Sequence, residues 1–266
     1  MNDLRELYHI GEAVLDTAEE MFLQGLGSDP THFKKPGDFA TEIDLSIERY
    51  LRQTLSSLTG IPVFGEEYGG DDGPPQWVVD PVDGTANFAA GNPMCCVLLS
   101  LVVDNEPVIG LTSVPVTRQR FGAFKGSPLF VNGRAQAPLK DRPSMAAHVG
   151  FSSVSSPAES GFPSMLRQGI LGDLTRTYLR PRITGSVGID LAYTAAGIFE
   201  GAVSFSPYLW DNAAGVALVR AAGGVVTDID GNPWEVGGTG AVVGSPRGHA
   251  TIVELIQKYR QSHGDS

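Results

Sequence analysis

Residues 77–85 read Trp-Val-Val-Asp-Pro-Val-Asp-Gly-Thr and place two carboxylates three positions apart behind a short apolar run. The aromatic and β-branched residues 77–79 are typical of a buried strand. Because Pro81 has no N–H to donate, we expect the strand ladder to end there and Asp80 to lie at its carboxyl tip. Open α/β sheets bind ligands at this edge, so the segment is a candidate site.

The chemistry of this segment favours a hard cation beside a phosphate. The turn that follows the strand would bring Asp83 back towards Asp80 and leave the Val82 carbonyl without a partner in the sheet. Such all-oxygen surroundings suit Mg2+ first. Gly84 and Thr85 would then begin a helix whose free N–H groups face the same point and can hold a phosphate oxygen. The alternative is an ordinary turn, since Asp-Pro and Asp-Gly are common turn dipeptides.

Two other acidic positions are candidates to join these carboxylates. Glu66 lies in Gly65-Glu66-Glu67, directly after the apolar residues 61–64. We expect it to point into the pocket, although adjacent acids at a strand end are commonly solvated. Asp211 follows Trp210 and precedes a run of small residues that permits close helix packing. Its alternative role is to cap that helix.

A third acidic segment spans residues 38–44 and leads into an amphipathic helix over 43–58. Thr41 and Asp44 fit a capping box, which by itself accounts for both residue types. The four segments together are more specific than any one of them, because each alone has an ordinary structural explanation.

In order and spacing these segments resemble the inositol monophosphatase family of Mg2+-dependent, Li+-sensitive sugar phosphatases. That family also includes bacterial fructose bisphosphatase-like, histidinol-phosphate and adenosine bisphosphate phosphatases. The resemblance covers essentially the whole chain, and the sequence of residues 37–42 is most similar to that of actinobacterial inositol-1-monophosphatases. It implies an α/β fold, the layered α-β-α-β-α sandwich of the inositol monophosphatase/fructose-1,6-bisphosphatase type.

The resemblance also implies roles for individual residues. Two or three Mg2+ ions would be bound by Glu66, Asp80, the Val82 carbonyl, Asp83 and Asp211. Thr85 and Asp44, assisted by Glu66, would orient or activate the attacking water, and Asp83, Gly84 and Thr85 would contact phosphate. The implied reaction is attack by a metal-activated water without a covalent phosphoenzyme. A homodimer and sensitivity to lithium are further expectations of the family.

The substrate is less determined than the reaction. Family inositol phosphatases often carry a glutamate six residues before the Trp-Asp pair, and Ser204 stands there, with a hydroxyl that can still bind a polyol. The resemblance favours inositol 1-phosphate, with histidinol phosphate, fructose 1,6-bisphosphate and 3'-phosphoadenosine 5'-phosphate as alternatives. Lys34 and Lys35 fit the family's lysine-bearing loop irregularly, so which of them faces the site stays open.

The elements that must position these residues follow from periodicity and turn signals. Asn132-Gly133 predicts a hairpin, the Pro- and Ser-rich residues 152–163 predict a loop, and residue 140 divides an N-terminal lobe (1–140) from a C-terminal lobe (141–266). Predicted helices cover residues 4–22, 43–58, 186–198, 212–222 and 247–262. Predicted strands cover residues 61–64, 77–80, 95–103, 107–114, 120–124, 147–151, 202–205, 225–228 and 241–244.

Composition excludes several partner classes. A net charge of -11 over 266 residues disfavours nucleic acids and anionic membranes, because phosphates would be repelled. The two cysteines, Cys95 and Cys96, are adjacent and are expected to pack as buried side chains rather than form a disulfide scaffold. No apolar run is long enough to span a bilayer and the N-terminus lacks the order of a signal peptide, so we expect a cytoplasmic protein.

Two other mechanisms compete with the metal-activated water. A haloacid-dehalogenase-type phosphatase carries Asp-x-Asp, whereas Asp80 and Asp83 are three apart with Pro81 between them. A metal-stabilised structural or regulatory protein would not need Thr85 and Asp44. Both features favour a phosphomonoesterase.

Overall fold

The computed structural model describes residues 3–35, 38–70, 73–156 and 162–263. Within these residues there are seven α-helices and two short 3-10 turns. The helices are α1 (Leu4–Gly25), α2 (Glu42–Thr59), α3 (Thr85–Ala89), α4 (Ser164–Leu174), α5 (Val187–Ala195), α6 (Leu209–Ala221) and α7 (Pro246–His263).

The described strands form a hairpin and two larger sheets. The hairpin pairs β1 (His32–Lys35) with β2 (Asp38–Ala40). The first sheet is ordered β3 (Val63–Gly65), β4 (Gln76–Asp83), β5 (Cys96–Val103), β6 (Glu106–Val114), β7 (Gln119–Phe124), β8 (Phe130–Val131) and β9 (Arg134–Ala135). The second is ordered β11 (Arg180–Arg182), β10 (His148–Phe151), β12 (Gly201–Ser204), β14 (Ala241–Gly244) and β13 (Val225–Thr227).

Helices and sheets alternate in five layers. Helices α1 and α2 cover one face of the first sheet, α5 and α6 lie between the two sheets, and α4 and α7 cover the outer face of the second. One apolar cluster fills the gap between α1, α2 and the first sheet, a second spans both gaps around α5 and α6, and a third fills the outer gap, which is the burial that a layered fold requires. The predicted α-β-α-β-α sandwich is confirmed, whereas the division at residue 140 stays a prediction.

Helix α6 can occupy the middle layer because its residues are small and apolar on every side. Residues 212–219 are all buried. A Cβ on Gly110 of β6 would lie 2.3 Å from the Ala214 carbonyl oxygen, and one on Gly215 would lie 2.4 Å from the Leu191 side chain. The helix therefore approaches both the sheet and α5 at backbone distance, and this brings its first turn to the end of β4.

The predicted elements correspond to described ones, with four omissions and one error. The hairpin β1–β2, helix α4 and strand β11 were not predicted, because each is short or lies among polar residues. The expectation that Pro81 ends the ladder is wrong, since β4 continues to Asp83. Pairing is interrupted between Asp80 and Asp83 and resumes where Asp83 faces Cys96, because Pro81 cannot donate but need not end the strand.

Three other expectations can be compared with the structure. Asn132 and Gly133 form the turn between β8 and β9, as predicted. Cys95 and Cys96 are free and buried. Part of the predicted 152–163 loop, residues 157–161, lies outside the described residues. Among the helices that the structure does describe, none is long and apolar enough to cross a membrane.

Candidate active site

The end of β4 presents two buried carboxylates across a local irregularity of the strand. Asp80 Oδ1 accepts the Val82 N–H at 3.0 Å, so the first carboxylate itself shapes the turn. Pairing resumes at Asp83, and both acids are almost completely buried. The Val82 carbonyl accepts the Thr85 hydroxyl at 3.1 Å. Residues 80–85 therefore gather carboxylate, carbonyl and hydroxyl oxygens at one sheet edge.

Gly84 makes the change from strand to helix possible. Its φ of +87° lies in the left-handed region, and a Cβ would lie 3.0 Å from the Met94 carbonyl oxygen. Thr85 then begins α3, a helix of five residues. The predicted helix start is thus present, with Gly84 at its N-cap position.

The turn that carries Glu66 is held by a buried carboxylate from α2. Strand β3 runs parallel to β4, and the Glu66 N–H reaches the Val79 carbonyl at 3.2 Å. Glu48 accepts the N–H groups of Glu67 at 2.7 Å and Tyr68 at 3.0 Å. A side chain at Gly65 would collide with the Glu48 carboxylate, so this position has to be glycine.

Lys34 from the β1–β2 hairpin faces the same turn. Its ammonium lies 2.9 Å from Glu66 Oε1 and 2.6 Å from Glu67 Oε1. Glu66 is half-buried with Lys34 as its hydrogen-bond partner, and its predicted role in the pocket stays a prediction. Of the two lysines left open, Lys34 is the one with a described contact here.

Asp44 caps α2 beside this turn. The capping box is present, since Asp44 accepts the N–H and the hydroxyl of Thr41. Burial raises the pKa of Asp44 to about 6, partly offset by these bonds from Thr41, with a further rise from the charge of Glu67. In the described structure Thr85 donates to Val82 and no hydrogen bond joins Thr85 to Asp44.

Asp211 enters from the middle layer. It is the third residue of α6, and Tyr208 holds the N-cap position, so the N-capping alternative for Asp211 is wrong. The preceding Trp210 ring stacks on Tyr208 with centroids 4.7 Å apart and also contacts Phe64, two residues before Glu66. These ring contacts place the Asp211 helix against the Glu66 strand.

The carboxyls of Glu66, Asp80 and Asp211 lie close enough for the charge of one to raise the pKa of another. Burial, followed by the charges of Glu66, Asp83 and Asp211, raises the pKa of Asp80 well above its usual range. Burial, followed by Asp83 and Glu66, does the same to the pKa of Asp211. Such a group of acids is stabilised by a multivalent cation.

Asp83 lies in a cradle of neutral donors from the start of α5. It accepts the Ser186 hydroxyl, the Gly188 N–H at 2.7 Å, the Val187 N–H at 3.3 Å and the Cys96 thiol at 3.3 Å. Burial raises the pKa of Asp83, and the bonds from Ser186 and Gly188 partly offset that rise. Helix N-termini bind anions in this manner.

The donor set fits a divalent cation although the carboxylates are not arranged as a finished cage. Among the described residues no three acidic, histidine or cysteine side chains stand in the geometry of a metal site. The oxygens available are carboxylates, a carbonyl and hydroxyls, which suit Mg2+. Lys34 is the cation that contacts the acids in the described structure, and it pairs with Glu66 rather than with Asp80 or Asp211. Lys34 contacts Oε1 of Glu66 and would compete with a metal for that oxygen.

Several supporting residues escaped the sequence analysis. Glu48 looked like one charge on a helix surface, and Ser186 lies 103 residues after the carboxylate that it contacts. The sequence did contain a signal, because a serine before an apolar helix predicts an N-cap, and Ser186 does accept the Ile189 N–H at 3.1 Å. Ser204 is only 1% exposed and accepts the Ser206 N–H at 3.2 Å, and its predicted substrate contact stays a prediction.

Comparisons with known proteins show the family of this chain. The model of the inositol monophosphatase family matches residues 3–261. A probable inositol 1-monophosphatase ImpA of Mycobacterium tuberculosis is 48% identical over 92% of this chain and 91% of its own length. The inositol-1-monophosphatase ImpA of Mycolicibacterium smegmatis is 44% identical over 92% of this chain and 89% of its length.

A similar fold has been solved for the inositol monophosphatase TM1415 of Thermotoga maritima. The two structures superpose with a TM-score of 0.83 at 26% identity, over 97% of this chain and 98% of the other. The chain belongs to the inositol monophosphatase family of metal-dependent phosphatases and is itself a phosphatase.

Proposed function

From this family membership we propose that the chain is a Mg2+-dependent phosphomonoesterase whose substrate is a small polyol phosphate, inositol 1-phosphate first. The observation that supports it best is the set of acids at the start of α3: Asp80 and Asp83 are buried, and Glu66 and Asp211 beside them are half-buried. Two mycobacterial relatives carry inositol-1-monophosphatase names, which favours this substrate over the others.

The residues that would hold the cations are Glu66, Asp80, Asp83, Asp211 and the Val82 carbonyl, with two or three ions. When bound, the ions would activate a water molecule and neutralise phosphoryl charge. The chain's own residues do the positioning. The Gly84 and Thr85 backbone at the start of α3 can donate to a phosphate oxygen. The Thr85 hydroxyl, now on the Val82 carbonyl, and the Asp44 carboxyl would orient the water.

A monophosphate fits the described surroundings better than a bisphosphate. The described cation at the acids is Lys34, and it is already paired with Glu66 and Glu67. A second phosphate would need additional basic contacts. Neutral polar groups just before α6, including the Ser206 hydroxyl, which accepts the Tyr208 N–H at 3.2 Å, suit the hydroxyls of a polyol. Ser204 would contribute by orienting Ser206, whose N–H it accepts.

Phosphate release tests the proposal directly. Purified protein is assayed with inositol 1-phosphate, histidinol phosphate, fructose 1,6-bisphosphate and 3'-phosphoadenosine 5'-phosphate, each with Mg2+ and with EDTA. We expect release that requires Mg2+ and is highest for inositol 1-phosphate. Faster release from another of these compounds would overturn the assignment of inositol 1-phosphate as the substrate. Phosphate release in EDTA would overturn the metal requirement. Trapping of an aspartyl-phosphate with hydroxylamine would overturn the water mechanism.

Three further properties belong to the same proposal. We expect inhibition by lithium, a homodimer and a cytoplasmic location, as the family resemblance implies. Activity assays with LiCl against a KCl control test the first. Light scattering coupled to size-exclusion chromatography tests the second, and cell fractionation the third.

A further inference from the structure

Asp190, in the first turn and a half of α5, is a buried acid that the proposed reaction does not use. It is 1% exposed, and its Oδ2 has no hydrogen-bond partner. A Cβ on Gly150 of β10 would lie 2.7 Å from its Cγ, so the side chain lies directly on the second sheet. Its one described side-chain partner is the Thr184 hydroxyl, 2.8 Å from Oδ1.

The hydrogen atoms around Thr184 can be counted. The Thr184 hydroxyl lies 3.0 Å from the Ser186 carbonyl and 2.8 Å from Asp190, and it accepts the Ser186 N–H at 3.2 Å. A hydroxyl has a single hydrogen and cannot donate to both oxygens. All three contacts are made at once when Asp190 carries the proton and donates it to Thr184, which then donates to Ser186.

The surroundings of Asp190 also favour its neutral form. Within the described residues no basic side chain pairs with it, and the nearest acting charge is the carboxylate of Asp83. An ionised carboxylate buried without a counter-ion is far more costly than a neutral acid with one free carbonyl oxygen. Burial, with a smaller contribution from Asp83, raises the pKa of Asp190 well above its usual range.

The loop that Asp190 contacts is the one that holds Asp83. Residues 184–188 carry three of its donors: the Ser186 hydroxyl and the N–H groups of Val187 and Gly188. The Thr184 carbonyl is fixed in turn by Asn87 of α3 at 2.8 Å. Three hydrogen bonds, from Asp190 to Thr184, from Thr184 to Ser186 and from Ser186 to Asp83, therefore link Asp190 to Asp83.

We propose that Asp190 is a positioning residue that works as a neutral acid: by donating to Thr184 it fixes residues 184–188 and so the carboxylate of Asp83. This rests on the proposed function, in which Asp83 binds metal. The inference predicts that a neutral donor can replace Asp190, whereas removal of the side chain cannot be compensated.

Kinetics of matched variants test this. Asp190→Asn keeps shape and a donor, and we expect its kcat to stay within about threefold of wild type. Asp190→Ala and Thr184→Val remove the bond, and each should lower kcat by about 10–100-fold and raise the Mg2+ concentration for half-activity, as loss of support for a metal ligand does. The double variant should be no worse than either single one. Loss of activity in Asp190→Asn equal to that in Asp190→Ala would overturn the proposal.

Infrared spectra of the Mg2+-loaded protein give a readout that does not depend on turnover or on the folding of the alanine variant. The difference spectrum, obtained by subtracting the spectrum of Asp190→Asn from that of wild type, should show the carbonyl band of a protonated carboxylic acid. The control is Asp173→Asn, because Asp173 is ion-paired with Lys258 and Arg176 and should lose no such band. The proposal would be overturned if Asp190→Asn retained every carboxylic-acid band of the wild-type spectrum. A wild type that releases no phosphate would overturn the proposed function instead, while the spectra still decide the proton on Asp190.

Discussion

Asp83 and Glu66 are held in opposite ways at the two sides of the site. Asp83 accepts bonds from neutral groups, and three of these donors lie 103 to 105 residues further along the chain. Glu66 instead faces the ammonium of Lys34, which is 28% exposed, on a turn tied to the carboxylate of Glu48.

The difference concerns charge rather than geometry. Neutral donors hold a carboxylate without cancelling its charge, so Asp83 remains available to a cation. Lys34 offsets the charge of Glu66 and would compete with a metal for its Oε1. A partly exposed pair is also weakened by salt, whereas a buried bond is screened much less. The cradle thus provides a fixed part of the site and the Lys34 side an adjustable part.

Removing the charge at the fixed side should have the largest effect. In Asp83→Asn we expect kcat to fall by about a thousandfold or more, above the 10–100-fold typical of a supporting residue. The variant should stay folded, because an amide avoids the cost of a buried charge. Steady-state kinetics with circular dichroism checks both. Turnover like that of wild type would show that Asp83 is not at the metal centre.

Removing one donor of the cradle should have a smaller effect. Ser186→Ala deletes both the bond to Asp83 and the N-cap of α5. We expect kcat to fall by about 10–100-fold and the free energy of unfolding to fall by about 0.5–2 kcal/mol. Asp3→Ala, which removes the N-cap of α1, is the control and should lose stability alone. An equal kcat in Ser186→Ala and Asp3→Ala would show that Ser186 does not position Asp83.

On the Glu66 side, Asp44 should make the stability of the metal-free protein depend on pH. Because its folded pKa of about 6 exceeds the unfolded value, the native state binds the extra proton. Its contribution is complete below the unfolded pKa and is lost as the pH rises through about 6. Urea titrations in EDTA should show wild type losing up to about 1.4 kcal/mol per pH unit more than Asp44→Asn in this window. The same dependence of the unfolding free energy on pH in wild type and Asp44→Asn would contradict this prediction.

Opening the adjustable side should have the smallest effect. Lys34→Gln removes the cation that competes for Glu66, and we expect Mg2+ to bind more tightly by about 1.4-fold to fivefold, equivalent to an exposed ion pair. Calorimetry at low and high salt measures this, and the difference should shrink at high salt. Lys125→Gln, which breaks a remote pair with Glu106, is the control. Weaker Mg2+ binding in Lys34→Gln would show that Lys34 supports the metal site instead.

The comparison also explains which parts of the site could be read from the sequence. Asp80, Asp83 and Thr85 lie on one strand and its turn, so their spacing alone predicted that they converge. The capping box of Thr41 and Asp44 is equally local and was confirmed. The Pro81 error has the same origin, because the missing donor was visible but the resumed pairing with Cys96 depends on a neighbouring strand.

The supports of the site could not be read in this way. Glu48 lies in the second turn of a helix with an ordinary amphipathic pattern, and only packing against β3 directs it to the Glu67 N–H. Asp190 resembles any acid near a helix start until the sheet is seen at Gly150. Their roles depend on distances between elements that periodicity does not specify.

The sequence by itself determined the family and the reaction class of this protein, and oxygen ligands, a glycine turn and a helix start within a few residues of β4 predict a metal and phosphate site locally. The tertiary structure alone decided how each acid is held and with what charge. Neutral donors reach Asp83 only because α5 is packed between the sheets, and Lys34 reaches Glu66 because the β1–β2 hairpin, which contacts α2, brings its ammonium to the turn after β3. Burial and partners, rather than residue type, set which carboxylate keeps its charge for the metal.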